Sequence, residues 1–341
     1  MRTDALRALK ATFGNIHRGE GQMANKLLLV PVLLLGLCIT PAAALDCDAG
    51  FRAFTHLGGE TCIPEHPQRI VATRGDSIAT PLLDIGAPLI GAGFRTDDGI
   101  TYLRGAADIF GMEFVEKAGL AQIGESEPDM EAIAALEPDL IILPSWELEL
   151  AAKTSTIAPT VVIKDNLPFL DHLAMLADAV GMSGAYEQRV ASYRAKIERI
   201  KAQLGDPSAV TVSRFDMADG TLWYYANWGA VDQVISDIGF SRPAAQVAID
   251  DYRSEISLEF LPEFDGDILL SSYAPRFGQT IDSLSAEWDQ TAPFWRNLEG
   301  VKAGNQFWYE RDVWVGYTFK SLETAADGLL LLTQGRFPAK N

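Results

Sequence analysis

Seven arginine and aromatic residues near the ends of predicted strands are the candidates for ligand contact. A guanidinium group matches clusters of oxygen atoms through its planar fork of donors, while Trp and Tyr offer flat apolar area with a polar edge. These residues are Arg74, Arg95 and Trp146 in the first half of the chain and Trp228, Tyr273, Arg276 and Trp314 in the second. Together they would suit a ligand with an oxygen-rich surface.

Each candidate also has a purely structural explanation. Arg74 and Arg95 could form surface ion pairs with neighbouring acids such as Asp76. Trp228 and Trp314 could belong to the core, because tryptophan is usually mostly buried.

A helix–strand unit is predicted to position Trp146. Apolar residues from 130 to 136 recur at helical spacing, and Pro138 predicts the end of that helix. Residues 140–143 form an unbroken apolar run, which is typical of a parallel strand covered on both faces. Trp146 then follows at the carboxyl end of the strand, where ligands bind in open α/β sheets.

Seven positions of this unit are matched at a constant spacing of 128, two by identical acids (Glu131 with Glu259 and Asp139 with Asp267) and five by other apolar residues. The second copy also ends in an aromatic loop residue, Tyr273. The repeat predicts two similar lobes that hold a ligand between Trp146 and Tyr273. The alternative is a chance similarity between two helix–strand units, which share a common pattern in α/β proteins. The two glutamates lie inside the helix pattern and are interpreted as structural.

The order of elements predicts an α/β fold of two Rossmann-like lobes with mostly parallel sheets. A periodic helix from Tyr186 to Leu204 is predicted to join the lobes, although a surface helix of one lobe would show the same pattern. The predicted divisions are an N-terminal extension and signal peptide (1–44), an N-terminal lobe with a stapled leader (45–167), a connecting helical segment (168–207) and a C-terminal lobe (208–341).

The net charge of the chain limits the kinds of ligand that it can bind. The chain has 28 Lys and Arg against 46 Asp and Glu, a net charge of −18, which argues against binding to nucleic acid. An anionic ligand remains compatible with this balance, because a local basic cleft can oppose the field of the whole molecule.

The N-terminus predicts export to the periplasm. Lys26 precedes an apolar segment, 27–39, and Ala42 to Ala44 offer a small-residue cleavage site. The alternative is that the apolar segment is retained as a membrane anchor. Met23 is a more natural translation start than Met1, because it lies just before Lys26 and the apolar segment. After cleavage only Cys47 and Cys62 remain, and such a pair is predicted to form a disulfide in an oxidising compartment. The bridge would staple a hairpin that turns at Gly58-Gly59.

Three segments carry a resemblance to a known family. Residues 66–72, the helix–strand unit and residues 294–304 resemble the periplasmic binding proteins of ferric-siderophore ABC importers, a group that includes vitamin B12- and haem-binding members. The resemblance covers about residues 47–334, and the leader with Cys47 and Cys62 resembles that of proteobacterial members. It implies two lobes joined by a long helix, a ligand cleft between them, and delivery of the cargo to an inner-membrane permease.

The resemblance also implies what the protein does not need. Siderophore iron arrives already coordinated, so we expect no metal ligand, no cofactor and no enzymatic reaction, and we expect a monomer. Family members dock to the permease through one surface acid on each lobe. The first of these would fall near Ala79 or Thr80, neither of which is acidic, so Asp84 and Asp232 are the predicted docking residues.

Other functions fit the sequence less well. Gly-x-Ser-x-Gly is absent, and the few histidines give little support to a hydrolase or to a direct zinc binder. A haem carrier would need an axial ligand, for which Tyr273 is the candidate. Vitamin B12 and a receptor-docking sensor role stay open. The arginines favour an anionic carboxylate or catecholate siderophore over a hydroxamate.

Overall fold

The computed structural model describes residues 45–97, 99–124, 127–164, 167–249 and 253–335, so the predicted signal peptide lies outside the described residues. The leader forms an antiparallel hairpin of β1 (Phe51–His56) and β2 (Gly59–Pro64), and a disulfide joins Cys47 to Cys62. The predicted bridge is confirmed, and the hairpin turns at Leu57-Gly58, one residue before the predicted Gly58-Gly59.

The first lobe is built on a five-stranded parallel sheet with strand order β7-β4-β3-β8-β9, while β5 and β6 form a separate hairpin. Its strands are β3 (Ile70–Ala72), β4 (Leu89–Ala92), β5 (Arg95–Asp97), β6 (Ile100–Tyr102), β7 (Ala121–Gln122), β8 (Leu140–Pro144) and β9 (Thr160–Ile163). Its helices are α1 (Thr80–Asp84), α2 (Ala106–Phe110), α3 (Met112–Ala118), α4 (Met130–Ala135) and α5 (Ala151–Thr154). All of β8 is buried, as its apolar run predicted.

The leader hairpin covers the edge of this sheet at β9. The Leu57 N–H donates to the Val162 carbonyl at 3.1 Å. The Val162 N–H in turn donates to Nδ1 of His56 at 3.1 Å, so the imidazole takes the place of a backbone acceptor. Burial lowers the pKa of His56, which keeps this acceptor nitrogen unprotonated.

Two helices connect the lobes: α6 (Phe169–Ala179) and α7 (Ser183–Leu204). At 22 residues, α7 is on the order of 33 Å long. It buries Val190, Tyr193, Ile197 and Ile200 against the core of the second lobe. The long helix predicted from residue 186 therefore forms, and it begins three residues earlier.

The second lobe contains two three-stranded sheets, one parallel (β10-β14-β15) and one antiparallel (β11-β12-β13). Its strands are β10 (Val212–Arg214), β11 (Asp216–Ala218), β12 (Thr221–Tyr225), β13 (Arg253–Ser257), β14 (Ile268–Tyr273) and β15 (Gln306–Glu310). Its helices are α8 (Gly229–Ile238), α9 (Ala244–Val247), α10 (Ile281–Thr291), α11 (Glu299–Lys302), α12 (Arg311–Val315) and α13 (Phe319–Thr333). The architecture is thus two α/β lobes, with more antiparallel pairing in the second than expected.

The internal repeat has a matching structural role in both lobes. Asp139 accepts hydrogen bonds from the backbone N–H groups of Gln68 and Arg69 at 2.6 and 2.9 Å, just before β3. Asp267 accepts one from the Thr211 N–H at 2.7 Å, just before β10. The helical part differs, because Pro262 lies inside the second copy and a 3-10 helix, Leu258–Phe264, replaces α4 there.

No helix in the described ranges combines the length and the apolar character needed to span a membrane.

A ligand cleft between the two lobes

The main cavity, about 940 Å³, lies between the lobes. From the first lobe it is lined by the loops that follow β3, β8 and β9 and by the start of α6; the second lobe adds the loop from β12 to α8 and Tyr317. Carboxyl ends of parallel strands therefore supply much of the lining, as in other α/β ligand sites. The volume is at the upper end of the range for pockets that enclose a drug-sized ligand.

Tryptophan residues form opposite walls of this cleft. Trp146 belongs to the first lobe, is 58% exposed, and has the guanidinium carbon of Arg74 5.4 Å from its ring centre. Trp228 belongs to the second lobe, where it packs on Tyr225 with ring centres 4.5 Å apart. Arg214 and Arg311 lie 5.2 and 5.0 Å from the Trp228 ring. Aromatic surface is thus available on both sides of a bound ligand.

Asp76 organises the cationic side of the cleft. Its carboxylate accepts hydrogen bonds from Nε and Nη2 of Arg74 at 2.7 and 3.0 Å and also pairs with Arg104 at 2.8 Å. Burial alone would raise the pKa of Asp76, but the charges of Arg104 and Arg74 hold it below its usual value. One carboxylate therefore fixes two guanidinium groups, and Lys164 adds a further cation to the lining.

Beneath Trp228, a buried ion cluster holds the second lobe's wall in place. Asp232 pairs with both Arg214 and Arg242 and accepts a hydrogen bond from the Trp228 N–H at 3.0 Å. Arg214 also donates to the Tyr309 hydroxyl at 2.7 Å. Burial would raise the pKa of Asp232, but the two arginines keep it below its usual value.

The positions of Asp84 and Asp232 contradict the predicted docking role. A docking acid must be exposed, whereas the Asp232 side chain is 3% exposed and the Asp84 side chain 5%. Asp84 accepts hydrogen bonds from the Phe319 and Lys320 N–H groups at 2.6 and 3.3 Å and pairs with Arg189 on α7 at 3.3 Å. It therefore joins the first lobe to the connecting helix and to the last helix.

Three of the seven predicted ligand residues line the main cleft: Arg74, Trp146 and Trp228. Arg95 instead pairs with Asp97 at 2.8 Å, and Arg276 pairs with Asp312. The lining of this cavity, as far as the structure describes it, also excludes Tyr273 and Trp314.

Trp314, which the sequence predicts to contact the ligand, packs against residues of its own lobe. Its ring packs on Tyr309, with ring centres 5.3 Å apart, and lies so close to Gly328 of α13 that a Cβ there would fall 2.3 Å from the indole. Opposite Trp146, the aromatic residues that line the cleft from the second lobe are Trp228 and Tyr317, and Tyr273 is not among them.

The sequence interpretation also missed several lining residues, namely Asp76, Arg104, Lys164, His172 and Tyr317. Lys164 directly follows β9, and the strand-end rule could have found it. His172 lies on α6 and donates through Nε2 to the Ser77 carbonyl at 2.7 Å, with Tyr317 packed against its ring at 5.3 Å. Burial lowers the pKa of His172 and favours its neutral form. Among the described residues, no cluster of three or more His, Cys, Asp or Glu side chains could hold a metal ion.

Two α/β lobes joined by a long helix and separated by a cleft define a solute-binding protein. The chain belongs to the periplasmic binding protein family, whose sequence pattern matches residues 124–307. The probable siderophore-binding lipoprotein YfiY of Bacillus subtilis (strain 168) is 28% identical over 303 residues, which cover 84% of this chain and 89% of YfiY.

Two further similarities are consistent with this family. The Fe(3+)-citrate-binding protein YfmC of Bacillus subtilis (strain 168) is 30% identical over 212 residues, or 60% of this chain and 64% of YfmC. The crystal structure of Staphylococcus aureus SirA complexed with staphyloferrin B superimposes with a TM-score of 0.67 at 21% identity, covering 82% of this chain and 97% of SirA. At that identity the superposition establishes the shared fold.

Proposed function

We propose that this protein captures a ferric siderophore in the cleft and delivers it to an inner-membrane ABC permease. The observation that carries the proposal is the combination of Trp146 and Trp228 on opposite walls with Arg74, Arg104 and Lys164 in a cavity of about 940 Å³. Aromatic surface and cationic donors suit a large iron complex whose metal is already coordinated and whose surface presents oxygen atoms. The names of the relatives YfiY and YfmC support the same cargo class.

The charge of the cleft favours an anionic complex. Arg74 and Arg104 share the single carboxylate of Asp76, and Lys164 adds another positive charge. The negative charge of Asp232 is balanced by Arg214 and Arg242 behind the wall. Carboxylate or catecholate siderophores therefore suit the site better than neutral or cationic hydroxamates.

The cellular setting follows from the N-terminal segment and the family. We infer that the signal peptide directs the chain to the periplasm, where the disulfide forms and the protein acts as a monomer. Delivery to the permease would then use surfaces on both lobes, without Asp84 or Asp232, whose side chains are buried.

Tryptophan fluorescence tests this function directly. Adding ferric citrate or a ferric catecholate to the purified protein should quench the emission with saturation, and the iron-free chelators should bind more weakly. Trp146→Phe and Trp228→Phe should each reduce the amplitude, since both rings line the cleft. Trp223→Phe is the matched control, because Trp223 lies under Arg253, outside the cleft lining.

A haem or cobalamin carrier of the same class is the alternative. Adding haemin would then produce a Soret band, and adding cobalamin would quench the emission, while ferric chelates would have no effect. That result would refute the proposed cargo. Tyr273, the axial ligand predicted for haem, is not among the residues that line the cleft.

A further inference from the structure

A second, smaller cavity of about 60 Å³ opens beside the main cleft. The two cavities share Asp76, Arg104, Trp228 and Tyr317 in their linings, so they are contiguous. Both lobes contribute to the smaller one. By the volume that a single ordered water needs, it has room for roughly four waters, or one carboxylate group.

Two arginines and two aspartates line this side cavity, and the two aspartates also pair with Arg74 and Arg276 from outside the lining. Arg104 contributes from the first lobe and Arg311 from the second, while the lining acids Asp76 and Asp312 already pair with arginines. Within the described residues Arg311 forms no ion pair, and its buried Nε has no hydrogen-bond partner.

Arg276, which pairs with Asp312, also lies close to the two arginines of the side cavity. Burial lowers the pKa of Arg276 to about 10, and the charges of Arg104 and Arg311 lower it as well. A guanidinium is destabilised in this way when like charges gather around it in a partly desolvated space. An anion placed between Arg104 and Arg311 would relieve this repulsion.

We propose that the side cavity is an anion subsite, which takes one free carboxylate of the iron chelate between Arg104 and Arg311. The inference rests on the proposed function for the identity of the ligand, whereas the anion preference rests on the arginines themselves. Arg104 and Arg311 belong to different lobes, so the carboxylate bridges them. Chelates that keep an uncoordinated carboxylate are therefore selected over those that lack one.

Binding of two chelates to matched variants tests the subsite. The probes are ferric citrate, which carries free carboxylates, and ferrioxamine B, a trihydroxamate without any. Arg311→Gln should weaken ferric citrate binding on the order of ten- to a hundred-fold, the value of a lost charge-assisted hydrogen bond, and change ferrioxamine binding less than about twofold. Arg311→Lys keeps the charge and should recover part of the loss.

The control is Arg199→Gln, the same change of charge at an exposed position of α7. It should leave both affinities unchanged. Circular dichroism and thermal unfolding establish that each variant is folded, and Arg311→Lys carries the test if Arg311→Gln does not fold. Equal weakening of both chelates, or of neither, would overturn the subsite while leaving the proposed function intact.

A second test uses no iron, so its result does not depend on the identity of the cargo. It asks whether the subsite also takes a free inorganic anion in place of a chelate carboxylate. Sodium sulfate, compared with sodium chloride at matched ionic strength, should raise the melting temperature of the wild-type protein more than that of Arg311→Gln. If no ferric chelate binds, the proposed function fails, and this sulfate difference alone then supports the subsite. Equal sulfate effects on both proteins would overturn it.

Discussion

Asp76 shows how one acidic side chain can improve a site for anions. Its negative charge lowers the net positive charge of the cleft by one, yet its carboxylate fixes the orientation of both Arg74 and Arg104. Long side chains lose rotamer entropy when they bind a ligand, and a carboxylate that already holds them reduces this loss.

We therefore predict that Asp76→Asn weakens the binding of an anionic ferric chelate by roughly tenfold, or about 1.4 kcal/mol. If the net charge of the cleft alone decided the affinity, Asp76→Asn would bind the anionic chelate more tightly, because the variant makes the cleft more positive. Isothermal titration measures the affinity. Asp97→Asn is the control with an equal change of charge, since Asp97 pairs with Arg95 outside the lining of the main cleft. Tighter binding by Asp76→Asn would refute the orienting role.

The same carboxylate predicts a pH dependence of stability. Its pKa in the folded protein is below the ordinary 3.8, so the ionised form is favoured by folding. The resulting stability is present above the unfolded pKa and is lost as pH falls through the lower folded pKa. The difference in unfolding free energy between wild type and Asp76→Asn should be constant from pH 7 to about pH 5 and should shrink below about pH 4.

The sequence predicted those residues of the candidate site that lie just after strands of a parallel sheet. Trp146 lies two residues after β8, and Arg74 lies two residues after β3, so the strand-end rule found both. Arg104 follows the small β5–β6 hairpin, where that rule gives no signal. The stacking of Trp314 on Tyr309 could not be predicted either, because it depends on contacts that spacing along the chain does not reveal.

At the level of elements, the leader hairpin closes the exposed edge of the first lobe's sheet. Its backbone and His56 pair with Val162 of β9, and its disulfide restrains it. An edge strand left open is a template for pairing with another chain, so the hairpin also protects against aggregation.

We predict that removing the disulfide by Cys62→Ser lowers the free energy of unfolding by about 3 kcal/mol. The cysteines are 15 residues apart, and a loop of that length has this value in the chain-entropy model. Urea unfolding of the oxidised protein measures the loss. Reductant should destabilise the wild type similarly and have no effect on a Cys47→Ser/Cys62→Ser double variant. An unchanged stability of Cys62→Ser would show that the hairpin alone is sufficient.

At the scale of the whole molecule, Asp84 connects the two lobes. This buried carboxylate of α1 accepts hydrogen bonds from the first N–H groups of α13 and pairs with Arg189 of α7. One side chain therefore connects the first lobe, the connecting helix and the last helix of the second lobe.

We predict that Asp84→Ala lowers the free energy of unfolding by about 2–4 kcal/mol, because it leaves helix N–H groups and a guanidinium without their acceptor. Asp327→Ala is the matched control. It removes another ion pair between α7 and α13, to Lys196, but its side chain is 60% exposed, so about 0–1 kcal/mol is expected. Denaturant unfolding measures the free energy of unfolding of both variants. Equal losses would contradict the connecting role of Asp84.

The contact between Asp84 and α13 also has a consequence for the order of folding. Phe319 follows Asp84 by 235 residues, so this hydrogen bond closes a very long loop of chain. Contacts between residues so far apart in the sequence form late, because the entropy of closing the loop must be overcome first. A fragment that ended before Phe319 would therefore leave the Asp84 carboxylate without the N–H groups that donate to it.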